Sequence, residues 1–187
     1  LMNIGINKTR IALLEVLKEM GADIKLSNVS NEYEPCADIS IRASELKGIT
    51  LNPKLVPNLI DELPVLFIAA ALAEGQTIIR GAEELREKES DRLEAMANSL
   101  KLLGVRFKVY GDGIDIQGLN QEVNTSNSDM PFEASHINSF GDHRIAMTSA
   151  IACTRANDKS YIEDTKNVTT SFPNFLEICE EVGLDIK

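Results

Sequence analysis

Tryptophan is absent from this 187-residue sequence, and aromatic residues make up only 5% of it. Surfaces on which nucleic-acid bases stack are built from such rings, so the composition argues against that mode of binding. Cations are scarce as well: 19 Lys and Arg against 29 Asp and Glu leave a net charge of −10. A nucleic-acid backbone needs a basic face, which argues against nucleic acid as a partner, although a few clustered cations can still hold a small anion locally. No apolar run approaches the ~18 residues of a membrane span; the longest, Val65 to Ala73, stops at Glu74. No basic, apolar and small-residue leader opens the sequence, so a cytoplasmic protein with no membrane partner is expected. The three cysteines, Cys36, Cys153 and Cys179, are odd in number and lack metal-ligand spacing. They fit reduced thiols acting as small buried hydrophobes better than a disulfide framework. Metal-ligand sets, Walker loops, Gly-x-Gly-x-x-Gly and nucleophile elbows are all missing, so neither metal nor cofactor is expected.

What is present is an internal repeat. Three segments, Thr9 to Ile24, Asp91 to Phe107 and Pro173 to Ile186, each read as an amphipathic helix, a glycine and a short alternating strand. Gly21, Gly104 and Gly183 stand where a helix C-terminus calls for a left-handed residue. A second element occurs twice. Asp61 to Arg80 and Asp142 to Glu163 each open with Asp, run through an Ala-rich apolar helix and end in a strand, Gln76–Arg80 or Ser160–Glu163. Being apolar nearly all round, these two helices are expected to be central, and the first type to lie outside with one wet face. Strand pairs are expected at Phe107–Tyr110 with Ile114–Gln117, across the turn Gly111-Asp112-Gly113, and at Asp23–Leu26 with Asp38–Arg42. The units fall at about 1–50, 51–119 and 133–187, the first and last incomplete, in what reads as one domain over 1–187. Natural sheets avoid bare edges, so a further strand is expected from outside this chain. The Ser/Asn/Thr-rich stretch Asn120 to Phe132 reads as a surface connection.

Two polar clusters could carry chemistry. In Glu83 to Arg92 the plain reading is a solvated loop with Ser90 as a helix N-cap. Lys88 and Arg92, however, crowd a helix start, where like charges repel and the helix dipole disfavours cations by ~0.3–1 kcal/mol. A bound anion would reverse both penalties. Gly141 to Met147 repeats the design, with Asp142 as cap and His143 and Arg144 in the first turn; a His at a helix start is more often structural than catalytic. Arg10 after Thr9 is placed similarly, so part of the pattern belongs to the repeat itself. Asp61 is explained as a cap ahead of Pro64, and becomes a candidate base if it faces a cleft shared with the other helix starts. Glu89 has no capping duty. Several helix N-termini brought to one point would favour a substrate with two or three negative charges, such as a phosphate ester.

Lys88-Glu-Ser-Asp-Arg92 and Asp142-His-Arg-Ile-Ala-Met147 resemble signature segments of the 5-enolpyruvylshikimate-3-phosphate synthases. Ile60-Asp-Glu-Leu-Pro64 and Thr169-Thr-Ser-Phe-Pro173 are similar to two more, in the same order and spacing, and the likeness runs from Asn7 to the end. It implies an α+β fold of repeated βαβαββ units, an inverse αβ-prism, as the carboxy-terminal one of two domains whose helices point their N-termini at a shared cleft. The implied reaction moves the enolpyruvyl group of phosphoenolpyruvate to the 5-hydroxyl of shikimate 3-phosphate, with release of phosphate and no cofactor or metal. By the same resemblance Asp61 contacts the attacking hydroxyl and takes part in proton transfer, and Glu89 is the partner carboxylate. Lys88 contacts shikimate 3-phosphate and assists the proton chemistry, while Arg92, His143 and Arg144 hold phosphoenolpyruvate. Many members carry a Lys just before the last motif; here that position is Thr170, with Lys166 four residues earlier. The amino-terminal domain, which the family uses to complete both substrate sites, is outside this chain, so the chain alone is expected to be inactive. The rival readings are UDP-N-acetylglucosamine enolpyruvyl transferase, with the same fold and chemistry, and a non-catalytic anion-binding module that has kept the fold.

Overall fold

The computed structural model of the protein describes residues 1–119 and 130–186. The repeat is visible as recurring topology. Strand β1 (Ile4–Gly5) precedes helix α1 (Ala12–Glu19) and the antiparallel pair β2 (Asp23–Ser30) and β3 (Cys36–Arg42), in sheet order β1-β3-β2. Strand β4 (Gln76–Ile79) likewise precedes α3 (Arg92–Leu102) and the pair β5 (Arg106–Tyr110) and β6 (Gly113–Gln117), in the matching order β4-β6-β5. Both expected pairs form, with Asp23 opposite Arg42 and Tyr110 opposite Gly113 across a two-residue turn.

Helix α2 (Leu63–Ala71) links a segment that runs parallel to the β4 region, through bridges Lys47 to Glu74 and Thr50 to Ile78. Helix α4 (His143–Cys153) does the same between the parallel strands β7 (His136–Asn138) and β8 (Tyr161–Glu163). Helices α5 (Val168–Ser171) and α6 (Phe175–Glu181) follow.

The three glycine expectations hold. Gly21, Gly104 and Gly183 have φ of 103°, 80° and 83°. Each closes the same two-bond helix end: Ala22 N to Leu17 O, Val105 N to Leu100 O and Leu184 N to Cys179 O span five residues, and each glycine N–H reaches back three. The strand expected after Gly183 does not form among the described residues: 184–186 is irregular. A strand exists only by pairing, and these residues join no sheet among the described residues.

Helices α2, α3 and α4 pack on one another at the centre. Seven of the nine residues of α2 are buried, as an all-apolar helix requires. The division into inner and outer helices needs one correction. Helix α1 buries only Ala12 and Val16 and α6 only Cys179, as outer helices should, but α3 buries seven of its eleven residues, including the polar Arg92 and Ser99. Both polar side chains are paired inside the protein: Ser99 Oγ donates to Ala95 O at 3.0 Å, and Arg92 is held by carboxylates described below.

All three cysteines are free thiols. Only Cys179 is fully buried, Cys36 and Cys153 being half-buried, and burial pushes the thiols of Cys153 and Cys179 up. Of the stretch Asn120 to Phe132, residues 120–129 lie outside the described residues. Among those described, no helix is long and apolar enough to cross a membrane, and no three His, Cys, Asp or Glu side chains are grouped to hold a metal ion.

Candidate active site

The starts of the three central helices meet at one point, and side chains from the three segments that lead into them join there. Arg92, the first residue of α3, is 1% exposed. Its Nε donates to Asp142 Oδ2 at 2.8 Å and its Nη1 to Asp61 Oδ1 at 3.1 Å, while Nη2 pairs with Glu89 Oε2. Arg144, in the first turn of α4, donates to Asp61 O at 2.9 Å and to Asp61 Oδ2 at 3.2 Å, with Glu62 Oε1 at 3.8 Å. Asp61 is thus gripped by two guanidinium groups from two helices.

Asp142 caps α4 as its sequence position suggests, accepting from Arg144 N at 2.9 Å. The cap of α3 is Asp91, which accepts from Glu94 N at 2.9 Å, and not Ser90. The Ser90 hydroxyl instead donates to Asp142 Oδ2 at 3.1 Å, 52 residues away. Asp61 caps nothing. Position N-cap of α2 belongs to Glu62, whose side chain makes no capping bond, and the Asp61 carboxylate is committed to the two arginines. Burial pushes the Asp142 carboxyl up, but the Arg92 guanidinium, the Arg144 amide and the Ser90 hydroxyl together outweigh it and hold it below the ordinary carboxylate range.

This geometry revises the electrostatic expectation. Taken alone, cations at helix starts call for a bound anion; here four carboxyl groups (Asp61, Glu62, Glu89 and Asp142) face the two guanidinium groups, so the protein supplies its own counter-ions. Lys88 does not crowd Arg92. It pairs with Glu84 Oε1 at 2.5 Å, four residues back, and makes no hydrogen bond or ion pair with the cluster. Glu89, with 54% of its side chain exposed, is the cluster's solvent-facing carboxylate. His143 occupies the first position of α4, half-buried and with no hydrogen bond or ion pair to the described residues. Lys166 and Thr170 are exposed and neither reaches the cluster. Their segment is nevertheless tied to the start of α4, by Asn167 Nδ2 to Gly141 O at 2.6 Å and Ser139 Oγ to Asp164 O at 2.9 Å.

Beside Arg144 a depression of about 160 Å³ opens between α2 and α4, lined by Asp61, Glu62, Val65, Met147, Thr148 and Ile151. A larger one, about 410 Å³, lies on the outer face of sheet β4-β6-β5 and contains none of the site residues. The smaller is the one with chemistry at its rim: the Arg144 guanidinium and the carboxylates of Asp61 and Glu62, at the starts of α4 and α2, where helix N-termini favour anions. Such a set can orient an anionic substrate and exchange protons with it. Sequence reasoning found Asp61, Glu89, Arg92 and Arg144, which the fold brings together, and His143 beside them. It missed Ser90 and Glu62 as members of the cluster, because nothing local marks a hydroxyl that bonds 52 residues away.

A family model described as EPSP synthase (3-phosphoshikimate 1-carboxyvinyltransferase) matches residues 1–179. A 3-phosphoshikimate 1-carboxyvinyltransferase of Coxiella burnetii is 45% identical over 188 residues, covering 100% of this chain and 40% of its own length. That of Methylococcus capsulatus is 47% identical with the same coverage. Among solved structures, the EPSP synthase of Acinetobacter baumannii superposes with a TM-score of 0.89 at 44% identity, covering 98% of this chain and 41% of that one. The enolpyruvyl transferase NikO of Streptomyces tendae gives 0.64 at 19% identity over 95% of this chain and 36% of that one, a likeness of fold alone. The chain therefore spans about two-fifths of the length of the curated relatives it matches, and its fold is the one these two solved proteins share.

Proposed function

Because this chain belongs to the EPSP synthase (3-phosphoshikimate 1-carboxyvinyltransferase) family, we propose that it forms one wall of an active-site cleft that transfers the enolpyruvyl group of phosphoenolpyruvate to the 5-hydroxyl of shikimate 3-phosphate. The rest of the cleft comes from an amino-terminal domain of the same enzyme, working in the cytoplasm. The observation that carries this reading is the bridging of Asp61 and Glu89 by the buried Arg92. Two carboxylates from different segments are set around one guanidinium at the meeting point of three helix N-termini.

The chemistry needs such a pair. In the addition, the 5-hydroxyl oxygen bonds to C2 of phosphoenolpyruvate while the C3 methylene gains a proton, so a base must accept the hydroxyl proton and an acid must supply the other. In the elimination, a proton leaves C3, the C2–O bond to phosphate breaks, and inorganic phosphate departs. Asp61 is the group at the attacking hydroxyl; Glu89, exposed towards the cleft, serves C3, with Lys88 assisting against shikimate 3-phosphate. Arg144 and His143 hold the carboxylate and phosphate of phosphoenolpyruvate, while the enclosed Arg92 keeps Asp61 and Glu89 in place. Arg144, 28% exposed, exchanges part of its bonding to Asp61 for the substrate anion, which frees Asp61 for the hydroxyl. Orientation of two anions by these cations turns a bimolecular encounter into a local step.

The test is phosphate release from phosphoenolpyruvate by this chain combined with its separately made amino-terminal part, with shikimate 3-phosphate or UDP-N-acetylglucosamine as acceptor and the chain alone as control. Release only with both parts and shikimate 3-phosphate is the expected result. Release with the nucleotide sugar alone would transfer the assignment to the other enolpyruvyl transferase, and release by the single chain would remove the need for a second domain.

A further inference from the structure

Asp142 is 0% exposed, yet its carboxylate accepts three hydrogen bonds, one from its own helix start and two from the distant segment Ser90–Arg92. Capping α4 needs only one of them, the bond from Arg144 N to Oδ1. The other oxygen, Oδ2, takes Ser90 Oγ at 3.1 Å and Arg92 Nε at 2.8 Å, residues 52 and 50 positions away in sequence. A guanidinium is a rigid planar fork, so fixing Nε and burying the side chain fixes where the other nitrogens point. In this protein they point at Asp61 through Nη1 and at Glu89 through Nη2.

We propose that Asp142, steadied by the Ser90 hydroxyl, is a positioning residue of the reaction. It sets the plane of Arg92, and through Arg92 it sets how Asp61 and Glu89 stand relative to each other. The inference rests on the reading that these two carboxylates exchange the protons of enolpyruvyl transfer. Asp142 itself touches no substrate, being closed off from solvent. One buried oxygen thereby couples the segment before α3 to the start of α4. Through Arg92 it also reaches Asp61, just before the N-cap of α2, so three helix starts share one anchor.

The experiment uses the complete enzyme. It compares kcat/KM for phosphate release in wild type, Asp142→Asn, Ser90→Ala, Ser90→Thr, Arg92→Lys and the double variant Asp142→Asn with Arg92→Lys, with an unfolding curve for each. A misplacement of about 1 Å costs on the order of 10²-fold in rate, which is the loss expected for Asp142→Asn. Ser90→Ala removes one bond to a charged acceptor and is expected to lose roughly threefold to tenfold; Ser90→Thr, which keeps the hydroxyl, recovers most of that. Asp142→Asn adds little on top of Arg92→Lys, because both act through one guanidinium, whereas independent effects would multiply. Multiplying losses, or a Ser90→Thr no better than Ser90→Ala, would overturn the proposal. If Asp142→Asn does not fold, the Ser90 pair decides alone. An active wild type with unaffected variants overturns only this inference, while an inert wild type overturns the proposed function and this inference with it.

Discussion

Replacing Arg92 with Met removes the guanidinium from Asp142 while keeping much of the apolar stem, and the cost can be bounded from the structure. Asp142 is fully buried and Arg92 1% exposed, so no discount for solvent screening applies to their pair. After the replacement the carboxylate retains only the Ser90 hydroxyl and the Arg144 amide. Breaking a buried pair from one side costs about 3–5 kcal/mol. The charge-related part also has a ceiling, because the carboxyl can take up a proton instead. From an ordinary value of 3.8, at about 1.36 kcal/mol per pH unit, protonation costs about 4.4 kcal/mol at pH 7 and about 1.6 kcal/mol at pH 5. In the wild type the folded carboxyl lies below its unfolded value, so its contribution is present at neutral pH and fades as pH falls through the folded value. In the variant the folded carboxyl lies above its unfolded value, so folding takes up a proton and the deficit shrinks as pH falls from 7 towards 4. Glu89 and Asp61 are 54% and 33% exposed and contribute little to the difference. Urea unfolding at pH 7, 6 and 5 is expected to give a deficit of about 3–4 kcal/mol that narrows by at least 1 kcal/mol on acidification. A deficit below about 1 kcal/mol at pH 7, or one that stays constant with pH, would refute the buried-charge argument.

Two further outcomes are expected. Glu89→Gln in the complete enzyme keeps the shape and a hydrogen-bond acceptor for Arg92 but removes the exchangeable proton, so kcat is expected to fall by ~10²–10⁴-fold with KM changing far less; steady-state kinetics that leave kcat unchanged would take Glu89 out of the mechanism. Gly113→Ala places a Cβ 2.0 Å from Ile79 O and 3.1 Å from Arg80 Cα. Strands β4 and β6 must part to admit it, and a destabilisation of about 1–3 kcal/mol, read as a lower urea midpoint at unchanged slope, is expected; an unchanged midpoint would mean the sheet has slack that these distances do not allow.

What was legible in the sequence was whatever depends on near neighbours. The three glycines end their helices because the left-handed turn they permit closes bonds only three and five residues long. The Tyr110–Gly113 pairing follows from a two-residue turn between alternating strands. What was illegible depends on residues far apart. Ser90 and Asp91 are adjacent and equally good capping types, and local propensity cannot choose between them. The choice is made by Asp142, 52 residues on, whose buried oxygen recruits the serine hydroxyl and leaves Asp91 to cap. The burial of α3 was missed for the same reason, since Arg92 makes its first turn look wet unless its distant carboxylate partners are known.

The arginines carry the same lesson into function. Read locally, Arg92 and Arg144 at helix N-termini are unfavourable and call for an anion. Their local penalty is real, but the protein offsets it with Asp61, 31 residues before Arg92 and 83 before Arg144, and with Asp142, 50 after Arg92. The inference from charge to ligand therefore survives only for the guanidinium that can change partners. Arg92 is enclosed and bonded through three nitrogens, which suits a fixed anchor. Arg144 stands beside an open depression, with its longest bonds, 3.2 and 3.8 Å, going to carboxylates that are themselves partly exposed. Bonds that long at partly exposed groups are weak enough for a substrate anion to replace. Of the two arginines that look alike in sequence, the structure makes Arg144 the one equipped to trade a carboxylate for a ligand, and Arg92 the one that holds the carboxylates in place while it does so.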